Sequence, residues 1–91
     1  MNKKRIVVYN IPNEADRLKL EAAIDELDGS AVTVIQDRAI LFHSDKNLDD
    51  LSRVQIELGA EGECWFFEVT GDAVGFGIAQ GEVQEFMKRR I

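Results

Sequence analysis

The 91-residue sequence predicts a single α+β domain spanning residues 1–91. Three observations support this: β-branched and aromatic runs alternate with two helical patterns, polar caps and glycines mark their ends, and the connections are short. The predicted order is β-α-β-β-α-β, which is the ferredoxin-like arrangement of helices on one face of an antiparallel sheet. The right-handed crossover rule then gives the strand order 4-1-3-2. A C-terminal β-hairpin strand, Ala73–Ala79, extends this sheet, and a short terminal helix follows it.

The first strand and helix have clear ends in the sequence. Arg5–Ile11 is rich in β-branched residues, and Pro12 ends it. Asn13 is suited to cap a helix, and Gly29 to stop it, which predicts helix one over Glu14–Asp28. At 100° per residue its buried stripe consists of Leu20, Ala23, Ile24 and Leu27.

Two short strands follow helix one. Ala31–Gln36 and Ala39–His43 are β-rich and lie close enough in sequence to be antiparallel neighbours. The Asp37-Arg38 connection between them predicts that Ile35 faces Ile40.

Two more helices complete the helical prediction. Leu48–Leu58 has an apolar 3.6-residue period, with Asn47 or Asp45 as its cap and Gly59 as its stop. Glu82–Arg90 is predicted as the final helix.

The segment from Glu63 to Gln80 reads as a hairpin around the turn Gly71-Asp72. This register places Phe66 opposite Gly77 and Glu68 opposite Gly75 on one face. The other face is expected to be buried against helix one, and it contains Trp65, Phe67, Val69, Val74, Phe76 and Ile78.

Charge is distributed unevenly along the chain. All 17 acidic residues lie between Glu14 and Glu85, where only five basic residues offset them, a balance of −12 within a net charge of −6. The other six basic residues form Lys3-Lys4-Arg5 and Lys88-Arg89-Arg90 at the two ends. Because an acidic body repels phosphate, nucleic acid is not the expected partner.

Cysteine and histidine are too few for the common scaffolds. The single Cys64 cannot form an internal disulfide, and with the single His43 it falls short of a structural zinc set. No apolar run approaches the roughly 20 residues of a membrane span. The expectation is a cytoplasmic protein, of a bacterium or its phage, without metal or cofactor.

The first strand, Ile6–Pro12, reads IVVYNIP. It resembles the first signature strand of RNA-recognition-motif domains, which implies a sheet that binds RNA. That family normally has a base-stacking aromatic at the second position, where this chain has Val7.

The longer stretch VVYNIPNEADRLKL, from Val7 to Leu20, resembles the opening of the small ferredoxin-like CRISPR adaptation nucleases. In that family an acid at the end of the strand holds a metal ion. The matching position is Asn10, and an amide is a poor ligand for a hard cation, so the resemblance implies a relative without metal catalysis.

No catalytic set emerges, although His43 could be paired with Asp45 or with Cys64. The candidate protein-binding residues are the acidic stripe of helix one with an apolar residue in it, and a group on the hairpin: Glu14, Leu18, Glu21, Asp25, Asp28, Phe66, Gly75 and Gly77. Phe66 could be a protein-binding anchor or a ring packed over Gly77. The uncharged edge Ala73–Ala79 could pair with a second copy in a homodimer.

The sequence therefore predicts a small acidic protein-binding module and not an enzyme, acting as a phage or mobile-element regulator or inhibitor of a host protein. The alternative is a degenerate nucleic-acid module related to one of the two families above.

Overall fold

A computed structural model describes residues 2–59, 61–71, 73, 75, 77 and 79–89. Four strands and three helices lie in this part of the chain. In order they are β1 (Lys3–Asn10), α1 (Glu14–Leu27), β2 (Val32–Ile35), β3 (Ala39–Ser44), α2 (Leu48–Leu58), β4 (Glu63–Glu68) and α3 (Gln80–Lys88). None of these helices has the length and apolar character needed to cross a bilayer.

The four strands form one antiparallel sheet in the order β2-β3-β1-β4. This is the strand order predicted from the sequence, with β1 and β3 in the centre. β1 pairs with β3 on one side, Val7 facing Ile40, and with β4 on the other, Val7 facing Phe66. Among the described strands, β2 and β4 are therefore the two edges of the sheet.

Local sequence signals set the helix ends. The Asn13 side chain accepts a hydrogen bond from the backbone N–H of Asp16, and the Asn47 side chain accepts one from that of Asp50. α2 ends at Gly59, whose φ of 67° lies in the left-handed region that glycine adopts without cost. These three predicted ends are confirmed.

Helices α1 and α2 cover one face of the sheet, which we call the α1/α2 face. The core on this side contains the largest group of buried apolar side chains, with Cys64 and Phe66 of β4 packed against it. Phe42 and Phe66 meet edge to face, with ring centroids 6.2 Å apart. The buried members are Val7, Tyr9, Ile11, Leu20, Ile24, Ile40, Phe42 and Leu51.

Helix α3 packs on the opposite face, which we call the α3 face. Phe86 is fully buried there against Val32 and Leu41, and more peripheral apolar side chains surround this cluster. Helix α3 lies mainly over β2 and β3, while Ile6 of β1 packs against the same cluster and Lys4 of β1 donates to Met87 O. The β1 and β4 half of the α3 face carries side chains that remain exposed: Val8, Trp65 and Phe67.

The predicted orientation of β4 is wrong. The hairpin register predicts Trp65 and Phe67 in the core beneath α1, but they are 64% and 50% exposed. Cys64 and Phe66 point to the α1/α2 face instead, because β4 pairs with β1 so that Phe66 lies beside Val7 and Cys64 beside Tyr9, both of which point inward.

The predicted facing pair of β2 and β3 is also wrong. Ile35 pairs with Ala39, and Thr33 pairs with Ile40. The register shifts by one residue between Thr33 and Ile35, and Asp37 adopts a positive φ of 60° in the connection. A bulge of this kind cannot be inferred from two short β-rich runs.

The predicted hairpin is not found in the described residues. Ala73, Gly75, Gly77 and Ala79 carry no strand structure, and β4 pairs with β1 alone among the described strands. The facing pairs that involve Val74, Phe76 and Ile78 lie outside the described residues.

Candidate protein-binding surfaces

An acidic surface with exposed aliphatic side chains lies where α1 meets the edge strand β2. Leu18 is 56% exposed, and Glu14, Glu21 and Asp25 lie within about 60° of it around the helix. On the neighbouring strand β2, Ile35 is 58% exposed and lines an adjoining cavity with Glu21 and Thr33. We call Glu14, Leu18, Glu21, Asp25 and Ile35 the α1/β2 surface. A groove in this surface is lined by Leu18, Glu21, Ala22, Ile24, Asp25, Ala31, Thr33 and Ile40.

Glu21 is fixed in place by a buried tyrosine. The Tyr9 hydroxyl donates a hydrogen bond of 2.9 Å to Glu21 Oε2. Burial, and then the Glu21 carboxylate that accepts this hydrogen bond, raises the pKa of Tyr9, so the phenol remains a donor at any ordinary pH. The carboxylate of Glu21 is therefore held at the margin of the groove, while Glu14 and Asp25 are exposed.

Asp28 does not belong to this exposed surface, although the helical pattern places it in the acidic stripe. It is the C-cap of α1, outside the helix, and its side chain is only 12% exposed. Its carboxylate accepts hydrogen bonds from Ser30 N–H (2.9 Å), from the Ser30 hydroxyl (2.7 Å) and from His43 N–H (2.9 Å). Burial alone would raise the pKa of Asp28, but these hydrogen bonds bring it below its ordinary value. Asp28 thus ties the end of α1 to β3.

His43 is packed inside the fold. Its ring stacks on Phe86 with centroids 4.2 Å apart, and Nδ1 lies 3.3 Å from Asp28 Oδ2. Burial lowers the pKa of His43, and the Asp28 carboxylate only partly offsets this effect. Nε2 is buried and finds no hydrogen-bond partner among the described residues.

The two sequence-based pairings of His43 are not formed. Its acidic neighbour is Asp28 and not Asp45. Cys64 lies on the α1/α2 face, whereas His43 packs on the α3 face. Burial raises the pKa of Cys64 to about 11, which keeps its thiol protonated and a weak nucleophile.

The exposed aromatic residues of β4 form a second surface, which sequence reasoning assigned to the core. In the sheet register Val8 faces Trp65 and Ile6 faces Phe67, so these four side chains form a block on two neighbouring strands. We call this block the β4 patch. Trp65, Phe67 and Val8 are 64%, 50% and 41% exposed, which is unusual for such large apolar side chains side by side.

The hairpin group of candidate residues is not brought together. Phe66 packs against the core and pairs with Val7. Gly75 and Gly77 are exposed, and a Cβ built on either would meet no described atom within 4 Å. Phe66 therefore does not lie over Gly77.

The two basic ends of the sequence meet in the fold, but several of their cations are engaged internally. Lys4 Nζ donates to the backbone carbonyl of Met87, which joins the start of β1 to the end of α3. Arg5 is buried, lies 3.2 Å from Glu68 and donates to Lys46 O. Arg89 lies over the Phe86 ring and donates to Ser30 O.

Within the described residues, no three His, Cys, Asp or Glu side chains are grouped so that they could hold a metal ion. Comparison of the chain with protein-family models, with curated proteins and with solved structures gives no match.

Proposed function

We propose that this chain is a small acidic protein-binding module that regulates or inhibits another protein, and that the α1/β2 surface contacts this target. The observation that carries the proposal is the exposed Leu18 beside the carboxylates of Glu21 and Asp25 in one groove, with the exposed Ile35 in an adjoining cavity that Glu21 also lines. Exposed apolar residues supply binding energy when they are desolvated, and surrounding charges select the partner.

The chemistry of the surface defines the target. Glu14, Glu21 and Asp25 favour a partner with Lys or Arg side chains, and the groove beside Leu18 favours an apolar side chain. A basic amphipathic helix or a basic loop with one large apolar residue meets both requirements. The net charge of −6 adds long-range attraction for the same class of target.

We also infer a ferredoxin-like arrangement. The element order up to β4 and the strand order β2-β3-β1-β4 support it, and α3 is then an addition on the second face of the sheet. A binding role fits this scaffold better than catalysis, because His43 and Cys64 are packed on opposite faces and neither is an activated group.

The test is a comparison of immobilised wild-type protein with Leu18→Lys in lysate of the cells that encode the chain. Leu18 is more than half exposed, so this change should leave stability within about 0.5 kcal/mol. Ile56→Lys is the matched control, because Ile56 is 76% exposed on α2, away from the groove. We expect one basic protein, identified by mass spectrometry, that wild type and Ile56→Lys capture and Leu18→Lys does not. Equal capture by the wild type and both variants would contradict the proposal.

Nucleic-acid binding is the second candidate, and one observation favours it. The contact of Lys4 with Met87 brings the two basic ends together on the face that carries Trp65 and Phe67. Basic side chains beside exposed aromatic rings can bind single strands by stacking. Binding of a labelled oligonucleotide that weakens steeply with salt and is lost on Trp65→Ala would favour this candidate over the first.

A further inference from the structure

We propose that two copies of the chain pair through their β4 strands, antiparallel about a two-fold axis at Phe66, and bury the β4 patch of each copy.

The backbone groups of β4 alternate in direction along the strand. Val69 N–H donates to Lys4 O on β1, so the backbone groups of Val69 point toward β1. Backbone groups alternate in direction along a strand, so those of Trp65 and Phe67 also point toward β1. Those of the alternate residues, Cys64, Phe66 and Glu68, point away from β1, toward the edge that no other described strand occupies.

The outward backbone groups limit the registers that a second copy could adopt. A two-fold axis requires residues that point outward on both strands to face each other as hydrogen-bonded pairs. With the axis at Phe66, Phe66 faces its counterpart and Cys64 faces Glu68, which uses all three outward residues in six hydrogen bonds. Moving the axis by one residue in either direction leaves only two such pairs within the strand. The strand is thus most complementary to itself in one register.

The side chains of the two copies also fit together in that register. On the α3 face, Trp65 of each copy lies opposite Phe67 of the other. The row then continues across four strands, because Val8 already faces Trp65 and Ile6 already faces Phe67. Aromatic cross-strand pairs stabilise sheets, and this arrangement covers side chains that are 64% and 50% exposed in one copy.

Local charge does not oppose a second copy at this edge. Glu68 lies 3.2 Å from Arg5 and 3.4 Å from Lys3, so its charge is already paired within its own copy. In the proposed register it lies opposite Cys64 and not opposite another acid. Each copy carries a net charge of −6, so the two repel at long range, and we expect added salt to strengthen the dimer by screening.

The first experiment is sedimentation equilibrium of the full chain. We expect a species of twice the 10.3 kDa chain mass. The dissociation constant of this dimer should decrease as salt is added. Trp65 is the sole tryptophan, so its emission should shift to shorter wavelength as the dimer forms. A monomer at all concentrations up to about 1 mM, the regime of very weak association, would overturn the proposal.

The second experiment tests the register with two single variants. Trp65→Lys and Phe67→Glu should each weaken self-association by about tenfold or more, because each places a charge opposite an aromatic ring twice in the dimer. When the two variants are mixed, the introduced lysine faces the introduced glutamate once, and the native pair of Trp65 with Phe67 forms once. We therefore expect a heterodimer, reported by the only tryptophan present, that of the Phe67→Glu copy.

The control is Ile56→Lys, which adds a charge on exposed α2 and should leave the dimer unchanged. Circular dichroism verifies that each variant is folded. A dimer that both β4 variants leave intact, or a mixture that forms no heterodimer, would show that the copies do not pair in this way.

Discussion

Single alanine substitutions of the neighbouring residues Phe66 and Phe67 should lower the free energy of unfolding by different amounts, because the two side chains lie on opposite faces of β4. Phe66 packs against the α1/α2 core with its ring 6.2 Å from that of Phe42, whereas Phe67 is 50% exposed on the α3 face. Phe→Ala changes in cores cost about 3–5 kcal/mol, and Phe66 is only partly buried, so we expect a loss of about 2–3 kcal/mol in the free energy of unfolding. For Phe67, half of the roughly 1.5–3 kcal/mol gained by burying a large apolar side chain gives about 1 kcal/mol.

The assay is urea unfolding followed by Trp65 fluorescence, at two protein concentrations. A difference of about 1–2 kcal/mol between the variants corresponds to roughly 4–16 °C in thermal midpoint for a domain of this size. Dimer formation adds to the Phe67 effect, so the cost of Phe67→Ala should shrink on dilution. If Phe67→Ala is the more damaging change at the lower concentration, the orientation of β4 described above is wrong.

Three further changes test other parts of the structure. Gly62→Ala should be clearly destabilising in a thermal melt, because Gly62 has a φ of 129° and an added Cβ would lie 2.4 Å from Asn10 O, whereas Gly29→Ala, which meets no described atom within 4 Å, should not be. Burial lowers the pKa of His43 in the folded state, so the unfolded chain binds the proton more tightly; stability should fall as pH drops below about 6.5, and titration of His43→Gln should lack this component. Burial raises the pKa of Cys64, so its thiol should react with a thiol reagent at pH 8 far more slowly than in urea, and equal rates would contradict its packing.

Much of the secondary structure could be predicted because its signals are local. Asn13, Asn47 and Gly59 end helices through hydrogen bonds and backbone angles within a few residues of themselves. The central positions of β1 and β3 followed from short connections and crossover handedness, which leave few possible strand orders.

The candidate surfaces were predictable only in part. The acidic stripe around Leu18 depends on helical geometry alone, and Glu14, Glu21 and Asp25 lie where that geometry puts them. Asp28 left the stripe because the helix ended one residue before it, which freed its carboxylate to bind His43, 15 residues away in sequence. A contact of that range is invisible to a helical pattern.

The sequence by itself determined the presence of three helices, the helix ends at Asn13, Asn47 and Gly59, the strand order and the uneven charge, since each depends on local geometry, connection length or simple counting. Only the tertiary structure decided which side chains of β4 are buried. Both alternating sets of that strand are apolar, Cys64 with Phe66 and Trp65 with Phe67, so a two-residue period fits either orientation. Pairing with β1 selected one of them, because Val7 and Tyr9 already pointed into the core beneath the helices. That choice leaves Trp65 and Phe67 on the surface at the edge of the sheet.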